Sequence, residues 1–298
     1  VEFLGGEGWD NLFIAVSVAV LLTVWQMHPD WWFDLWMGAG FGLAFGLTAW
    51  RMQYLTIFGA VAGGLFAATL VGFGGWPWAL PGFTFFFLSS ILSKVGRAVK
   101  TGTDQTLTGR DRRTVGQVYA NGGVAWAMIT AYALAPAPYF YWAFLGAVSA
   151  AAADTWASEI GPLAGRNPRM ILSGRPVPAG TSGAVSTGGT LGGLAGAAAI
   201  WAAAYAGGSQ IISAAGPMWS LFVIVLSGTA GSVVDSLAGA TVQAIYREPV
   251  SGGYVEAPVE GDGRATLVRG WRWIDNQRVN WLCTGSGALS GLLFHALG

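Results

Sequence analysis

The sequence has 298 residues, of which 53% are hydrophobic and only 10% are charged, and its 15 basic and 15 acidic side chains cancel. Soluble domains carry about 25% charged residues, so the composition excludes an ordinary soluble protein, and the zero net charge disfavours recruitment of nucleic acid by bulk charge. The single cysteine, Cys283, excludes an internal disulfide framework and a cysteine-based zinc site. The sequence therefore predicts an integral membrane protein.

Nine mostly apolar stretches are long enough to cross a bilayer as helices, which takes about 20 residues each. They cover approximately residues 9–27, 33–50, 53–72, 76–94, 117–135, 138–160, 182–206, 217–246 and 277–297. The eighth is longer than one crossing needs, and its small-residue run 227–232 is a place for a bend or local unwinding. We expect an all-α fold, a polytopic integral membrane helical bundle of about nine transmembrane helices that forms one domain over residues 1–298.

The cations predict the orientation of the chain in the membrane. All 15 Lys and Arg residues fall in or beside alternate loops, near residue 51 and at 95–116, 161–181 and 247–276, and the connections between them hold none. By the positive-inside rule, these loops and the N-terminus are cytoplasmic. The segment before the first span is acidic, with Glu2, Glu7 and Asp10, so we expect this span to be retained and not cleaved as a signal peptide.

The glycines are concentrated in one segment. Residues 183–196, at the start of the seventh span, are almost entirely small. One interpretation is tight helix packing, because small residues let helix backbones approach closely in lipid. The other is the close approach of a ligand to the backbone near Thr181, Ser182 and Ser186.

Three acids lie inside predicted spans, Asp154 and Glu159 on the sixth and Asp235 on the eighth. A carboxylate at such a position costs at least about 2.5–3.5 kcal/mol unless it is paired or hydrated. Since no Lys or Arg lies deep in a predicted span, a bound divalent cation is the partner that would serve all three acids. Hard oxygen ligands suit Mg²⁺, which takes its other ligands from water and phosphate. For Glu159, a solvated acid at a helix end is the alternative.

The loop after the fourth span carries the cations to complement these acids. They are Lys94, Arg97, Lys100, Arg110, Arg112 and Arg113. The first three are spaced by three residues, which places them on nearly one face of a continuing helix. Such a row can neutralise a polyphosphate, or it can serve only as an orientation signal that also binds anionic lipid. The loop does not match the G-x-x-x-x-G-K-[ST] phosphate-binding loop of nucleoside triphosphatases, and the chain lacks a dinucleotide-binding fingerprint.

Polar amides lie at the same level as the acids and cations. Asn121 is at the start of the fifth span, and Asn276, Gln277 and Asn280 are at the start of the ninth. The outer half of the predicted bundle is nearly bare of polar groups, which favours chemistry at the inner interface over a transport pathway. In the loop 247–276, the segment from 254 to 273 turns at 260–263 and predicts a small cytoplasmic β-hairpin-like cap.

Several segments that converge at this level also carry a resemblance to a known family. They are Gly116–Gly122, Ala153–Gly161, Thr181–Ser186, Gly231–Thr241 and the segment Asn276–Asn280. Together they resemble the family of transmembrane protein nineteen and the phytyl-phosphate kinases of plants and cyanobacteria, from about residue 90 to the end. Relatives often read Asn-Asp where this chain has Asn276–Gln277.

The resemblance implies a membrane-embedded kinase that converts an isoprenoid monophosphate to the diphosphate. It implies a nucleoside triphosphate, most simply CTP, as donor and Mg²⁺ as cofactor. It also associates the protein with salvage of phytol between chlorophyll and tocopherol.

Our hypothesis from the residues and the resemblance is phosphoryl transfer at the cytoplasmic membrane face, with the isoprenoid tail between glycine-lined helices. The predicted metal ligands are Asp154, Glu159 and Asp235, and the predicted catalytic residues are Asp154, Asp235 and Lys94. The predicted substrate and nucleotide contacts are Arg97, Lys100, Arg112, Arg113, Asn121, Thr155, Ser182, Asn276 and Asn280. Positioning and charge neutralisation would provide most of the catalysis, because a phosphate oxygen is already an ionised nucleophile.

Two alternatives use the same features. One is a CTP-dependent cytidylyltransferase that attaches CMP to a lipid phosphate and releases pyrophosphate. The other is a non-enzymatic transporter of a lipid phosphate or another anion.

Overall fold

The computed structural model describes residue 19 and the ranges 22–100, 112–164, 167–247, 254–256 and 266–297, with the backbone alone at 97–100. Helices dominate these ranges, as the sequence predicts. They are α1 (Trp32–Arg51), α2 (Ile57–Lys100), α3 (Val115–Leu134), α4 (Pro138–Leu163), α5 (Thr187–Ala206), α6 (Gln210–Ala215), α7 (Pro217–Thr241) and α8 (Asn276–His295). Five short strands accompany them: β1 (Arg169–Met170), β2 (Ala184–Val185), β3 (Ile245–Arg247), β4 (Tyr254–Val255) and β5 (Thr266–Arg269).

The long helix α2 is a pair of helices that fold back on each other. Gly75 breaks it with φ 63° and ψ −159°, a backbone conformation that favours glycine. A Cβ added at Gly82 would lie 2.7 Å from Cδ1 of Leu70, although twelve residues of straight helix span about 18 Å. The halves 57–74 and 76–100 are therefore antiparallel, and we name them α2a and α2b.

The described helices follow the predicted spans closely. With α2 divided, the long helices coincide with the second to ninth predicted spans, and of the first span the structure describes residue 19 and residues 22–27, all helical. Within the described ranges, three helices are long and apolar enough to cross a membrane by length and composition alone, Ile57–Gly96, Thr187–Ala206 and Pro217–Thr241. The count of nine crossings and the cytoplasmic N-terminus stay predictions.

Two predicted span boundaries are wrong. The seventh span was expected from residue 182, but residues 184–185 form β2, which pairs with β1, and Ser186 caps α5 by accepting a hydrogen bond from Gly189 N at 3.1 Å. The eighth span was expected to reach residue 246, but α7 ends at Thr241. Beyond it the backbone pairs with the chain ahead of α8, since Ala244 N donates to Ile274 O at 2.8 Å. The run 227–232 lies inside continuous helix and does not unwind.

The predicted β-hairpin cap is also wrong in its pairing. The strands β4 and β5 do not pair with each other, because β3 lies between them and is antiparallel to both. Most of β3 lies within the apolar run of the predicted eighth span, so hydropathy alone does not identify it as the central strand. The expected turn at 260–263 lies outside the described residues.

The helix α4 is the centre of the bundle. Every residue from Tyr141 to Ala153 is buried, and α2, α3, α5, α7 and α8 all pack on this helix. Glycines allow the close approach: a Cβ at Gly193 of α5 would lie 3.0 Å from Ala153 O, and one at Gly228 of α7 would lie 3.0 Å from Ser149 O. The tight-packing interpretation of the glycine-rich segment is confirmed for α5. The charged part of α4 begins at the next residue, Asp154.

Candidate active site

A polar cavity of about 440 Å³ opens at the end of the bundle that carries the strands. The ends of five helices line it, together with the loop 179–186 and Glu256 beside β4. The long helices alternate in direction, so the C-terminal ends of α4 and α7 meet the N-terminal ends of α3, α5 and α8 here. Of the predicted site residues, it brings together Arg113, Asn121, Asp154, Thr155, Glu159, Ser182, Asp235, Asn276 and Asn280.

Two aspartates meet in this cavity. Asp154 projects from α4 and Asp235 from α7, and their carboxyl groups lie within hydrogen-bonding distance of each other. Since α7 ends at Thr241, Asp235 is six residues from the helix end, which corresponds to a depth of about 9 Å. The Oδ1 atom of Asp235 is buried and has no hydrogen-bond partner among the described residues. Two carboxylates this close together inside a membrane-spanning bundle favour a proton or a cation between them.

Glu159 does not complete a triad with these aspartates. Glu159 and Asp154 are five positions apart on α4, which rotates Glu159 by about 140° around the helix. The Glu159 carboxylate faces α2b, where a Cβ added at Gly96 would lie 2.5 Å from Glu159 Oε2. Among the described residues, no three His, Cys, Asp or Glu side chains are grouped so that they could hold a metal ion together. The predicted three-acid metal site is therefore wrong as a cluster, although Glu159 still lines the cavity.

A buried glutamine connects the elements around the aspartates. Gln243 follows α7 and is only 1% exposed. Its Oε1 accepts a hydrogen bond from Ser182 Oγ at 2.6 Å, and its Nε2 donates to Asn276 Oδ1 at 3.4 Å. Glu256 also bonds to Gln243; burial raises the pKa of the Glu256 carboxyl, and this hydrogen bond lowers it in part. Sequence reasoning missed Gln243 and Glu256, although a glutamine inside an apolar stretch was a usable signal.

Arg269 of β5 fixes the loop 179–186 to the end of α7. Its Nη2 donates to Gly239 O at 2.6 Å and to Ser182 O at 3.1 Å. Burial lowers the pKa of the Arg269 guanidinium, which stays charged because an arginine pKa is normally above 12. Gly183, at φ 84°, lets the loop backbone lie directly against Ala240. Sequence reasoning missed Arg269 because the predicted β-hairpin-like cap gave no contact between this residue and the end of α7.

The loop 179–186 provides several of the hydroxyl groups of the cavity, beside those of α4, α5 and α7. Thr181, Ser182 and Ser186 all line it, and the close approach of a ligand to the backbone at these residues stays a prediction. Ser186 Oγ is used in capping α5. On the opposite wall, Asn121 Nδ2 donates to Gln117 O at 3.0 Å.

The structure places some of the predicted cations at the cavity and others away from it. Arg113 lines the cavity, whereas Arg112 is exposed and does not line it. Lys94 also lies elsewhere: its Nζ donates to Met52 O at 3.1 Å and sits 3.8 Å from the centre of the Tyr54 ring. The side chains of Arg97 and Lys100, and all of Arg110, fall outside the described residues. Of the predicted cations whose side chains the structure describes, Arg113 is therefore the one that lines the same cavity as the aspartates.

Comparison with known proteins places this architecture among integral membrane proteins. The profile of the family described as integral membrane protein DUF92 matches residues 40–288. An uncharacterized membrane protein of Synechocystis sp. is 29% identical over 245 residues, which cover 81% of this chain and 80% of that protein. An uncharacterized membrane protein of Methanocaldococcus jannaschii is 30% identical over 242 residues, 80% of this chain and 84% of that protein.

A plant protein is also similar. Protein PGR of Arabidopsis thaliana is 29% identical over 214 residues, which cover 65% of this chain and 74% of that protein. No solved structure matches this chain.

Proposed function

This chain belongs to the DUF92 family of integral membrane proteins, and we propose that it is a prenyl-phosphate kinase that acts on an isoprenoid monophosphate with a nucleoside triphosphate, CTP in the first instance. The observation that carries the proposal is the contact between Asp154 and Asp235 inside a polar cavity at one end of an apolar bundle. An apolar substrate reaches such a site from the bilayer, and a nucleotide reaches it from water.

The residues present fit a magnesium ion. Mg²⁺ is usually held by only one or two carboxylates and takes its remaining ligands from water and substrate phosphates. Asp154 and Asp235 provide two carboxylates, and the Oδ1 atom of Asp235 has no hydrogen-bond partner in the described part of the chain. Bound there, the ion would neutralise the negative charge that builds up on the phosphates during transfer.

The chain's own groups then bind and orient the two phosphates. The amides of Asn276 and Asn280 line the cavity with the aspartates and provide hydrogen-bond donors for phosphate oxygens, whereas the Ser182 hydroxyl also lines it but donates its proton to Gln243. Arg113 adds a guanidinium that can bind a phosphate through two hydrogen bonds. Gln243 and Arg269 hold the loop 179–186 and the start of α8 in place around them.

The reaction needs no dedicated base. An oxygen of the prenyl monophosphate attacks the terminal phosphorus of the donor, the bond from that phosphorus to the bridging oxygen breaks, and the nucleoside diphosphate leaves. The attacking oxygen is already ionised near neutral pH, so the site contributes positioning and charge neutralisation rather than proton removal. The described residues of the cavity include no histidine.

Labelled CTP tests the proposal directly. Purified protein in detergent is incubated with Mg²⁺, a prenyl monophosphate and CTP labelled at either the γ or the α phosphate. A kinase transfers the γ label to the lipid and leaves the α label in CDP. Transfer of the α label with release of pyrophosphate would instead establish a cytidylyltransferase, and no turnover of any nucleoside triphosphate with any prenyl monophosphate would favour a carrier.

A further inference from the structure

A second, apolar slot adjoins the polar cavity. It lies between α1, both halves of α2 and α3, and its accessible volume is about 50 Å³. Five phenylalanines form much of its wall: Phe45, Phe66, Phe83, Phe85 and Phe86. One water needs about 10–15 Å³, so the slot has room for a short hydrocarbon segment and not for a whole isoprenoid tail.

The slot and the cavity share three residues. Arg113, Gln117 and Asn121 line both of them. The rest of the slot is apolar, whereas the cavity beyond these residues holds the aspartate pair. A ligand that occupies both the slot and the cavity therefore has a hydrocarbon part in the slot. Its polar group lies near the three shared residues.

Arg113 is built into this junction. Its backbone is fixed against the start of α2a, because Arg113 N donates to Tyr54 O at 2.9 Å and Thr56 N donates to Arg113 O at 3.1 Å. Its guanidinium carbon lies 5.5 Å from the centre of the Phe85 ring and 6.0 Å from that of Phe86. A cation over aromatic rings at the mouth of an apolar slot suits an anionic group attached to a hydrocarbon chain.

We infer that this slot binds the phosphate-proximal isoprene unit of the lipid substrate, and that Arg113 binds the phosphate to which this unit is attached. The inference rests on the proposed function for the identity of the lipid. It adds where the tail leaves the cavity: toward α1, α2 and α3, not toward the glycine-rich face of α5.

Photo-crosslinking tests the inference without requiring turnover. The probe is a prenyl monophosphate with a diazirine on its first five-carbon unit, added to the full chain in detergent, and labelled peptides are located by mass spectrometry. We expect labelling within residues 83–86 and 118–122. Prenyl monophosphate without the diazirine should compete for this labelling at a concentration at least about tenfold lower than that of the prenyl alcohol. Labelling confined to the exposed face of α2a, around Phe58 and Val61, or equal competition by phosphatidic acid would overturn the inference.

Matched variants sharpen this test. Ala67→Phe fills the slot and should reduce labelling at least about tenfold. Phe86→Ala removes part of the wall and should reduce labelling about threefold or more. If Ala67→Phe does not fold, Phe86→Ala provides the test. Phe87→Ala is the control on the same helix, since Phe87 does not line the slot, and should stay within about twofold. In Arg113→Gln, the concentration of prenyl monophosphate needed to suppress the labelling should rise about tenfold, and the concentration of prenyl alcohol needed should not change. Wild-type labelling of both Ala67→Phe and Phe86→Ala, with folding intact, would contradict the inference.

The outcome is separable from that of the proposed function. Specific labelling of the slot without γ-label transfer supports the slot and contradicts the kinase. Transfer of the γ label with labelling elsewhere supports the kinase and contradicts the slot.

Discussion

At the level of single residues, a carboxylate inside a membrane-spanning bundle needs a partner for its charge. Asp154 and Asp235 are in contact, and one oxygen of Asp235 lacks a hydrogen-bond partner in the described part of the chain. An ionised pair in this position is unfavourable by itself, because the two like charges repel each other. A cation shared with a phosphate would offset this repulsion, so the same arrangement would favour binding of the substrate.

Removing either carboxylate should abolish turnover without unfolding the bundle. Asp154→Asn and Asp235→Asn keep the shape of the side chain and remove its charge, so each should lower the rate at least about a hundredfold, or about 2.7 kcal/mol. Glu159→Gln is the matched control on α4, because Glu159 faces Gly96, and it should change the rate less than about tenfold. Initial rates of γ-label transfer, with thermal melting to verify folding, measure the effect; near-normal rates in both aspartate variants would refute the assignment.

At the scale of elements, glycine contacts determine how closely the helices approach. Gly287 of α8 lies against the backbone of Gly146 on α4, with Ala150 beside it. Gly285 lies on the same helix, with nothing within 4 Å of an added Cβ. The two positions differ in packing but not in helix propensity, which makes them a matched pair.

Gly287→Ala should destabilise the bundle and Gly285→Ala should not. Alanine is favoured over glycine in a helix by about 1 kcal/mol, but at position 287 the new methyl group meets backbone and the helices must separate, at a cost of about 1–3 kcal/mol. Thermal melting in one detergent measures both variants. Equal melting temperatures for the two variants would show that the α4–α8 contact does not limit stability.

The helices were predictable from the sequence, but some of the pairing at their ends was not. The apolar runs located α1 to α5, α7 and α8, and the rarity of acids in such runs identified Asp154 and Asp235. The apolar runs extend through Ser182 and Gln243, so hydropathy assigns both residues to helices. In the structure, both lie outside the helices and form a hydrogen bond with each other. The position of Arg269 depends on β3 pairing with β5, and a contact between strands separated along the chain leaves little local signal.

The cations show a second limit of the sequence. Spacing placed Lys94 on one face of a helix with Arg97 and Lys100, and the fold turns Lys94 to Tyr54 and Met52. Arg113 differs from its neighbour Arg112 in its backbone pairing with Tyr54 and Thr56 and in its position over the Phe85 and Phe86 rings. Helical periodicity describes a face but not the element that the face meets, so it did not separate Arg113 from the other basic residues.

At the scale of the whole molecule, the positions of the cations predict that the cavity opens to the cytoplasm. Ser173, in the loop between β1 and β2, and Ser213, on α6, are both exposed and lie at opposite ends of the bundle. The native Cys283 is buried, so it interferes little with labelling of an introduced cysteine.

Cysteine labelling in intact cells tests this orientation. A membrane-impermeant thiol reagent should label Ser213→Cys in intact cells and should label Ser173→Cys only after the cells are opened. Unchanged labelling of the wild type before and after opening provides the background. The reverse pattern for the two variants would place the cavity on the outer side and contradict the positive-inside assignment.

Metal binding to the purified protein is the most direct test of whether Asp154 and Asp235 hold a magnesium ion. Mn²⁺ suits the same oxygen ligands as Mg²⁺ and is observed by electron paramagnetic resonance, so its binding to purified protein can be titrated with a non-hydrolysable CTP analogue present. The account predicts saturable binding to the wild type, similar affinity for Glu159→Gln, and affinity lower by at least about tenfold for Asp154→Asn and Asp235→Asn. Wild-type Mn²⁺ affinity in both aspartate variants would contradict it.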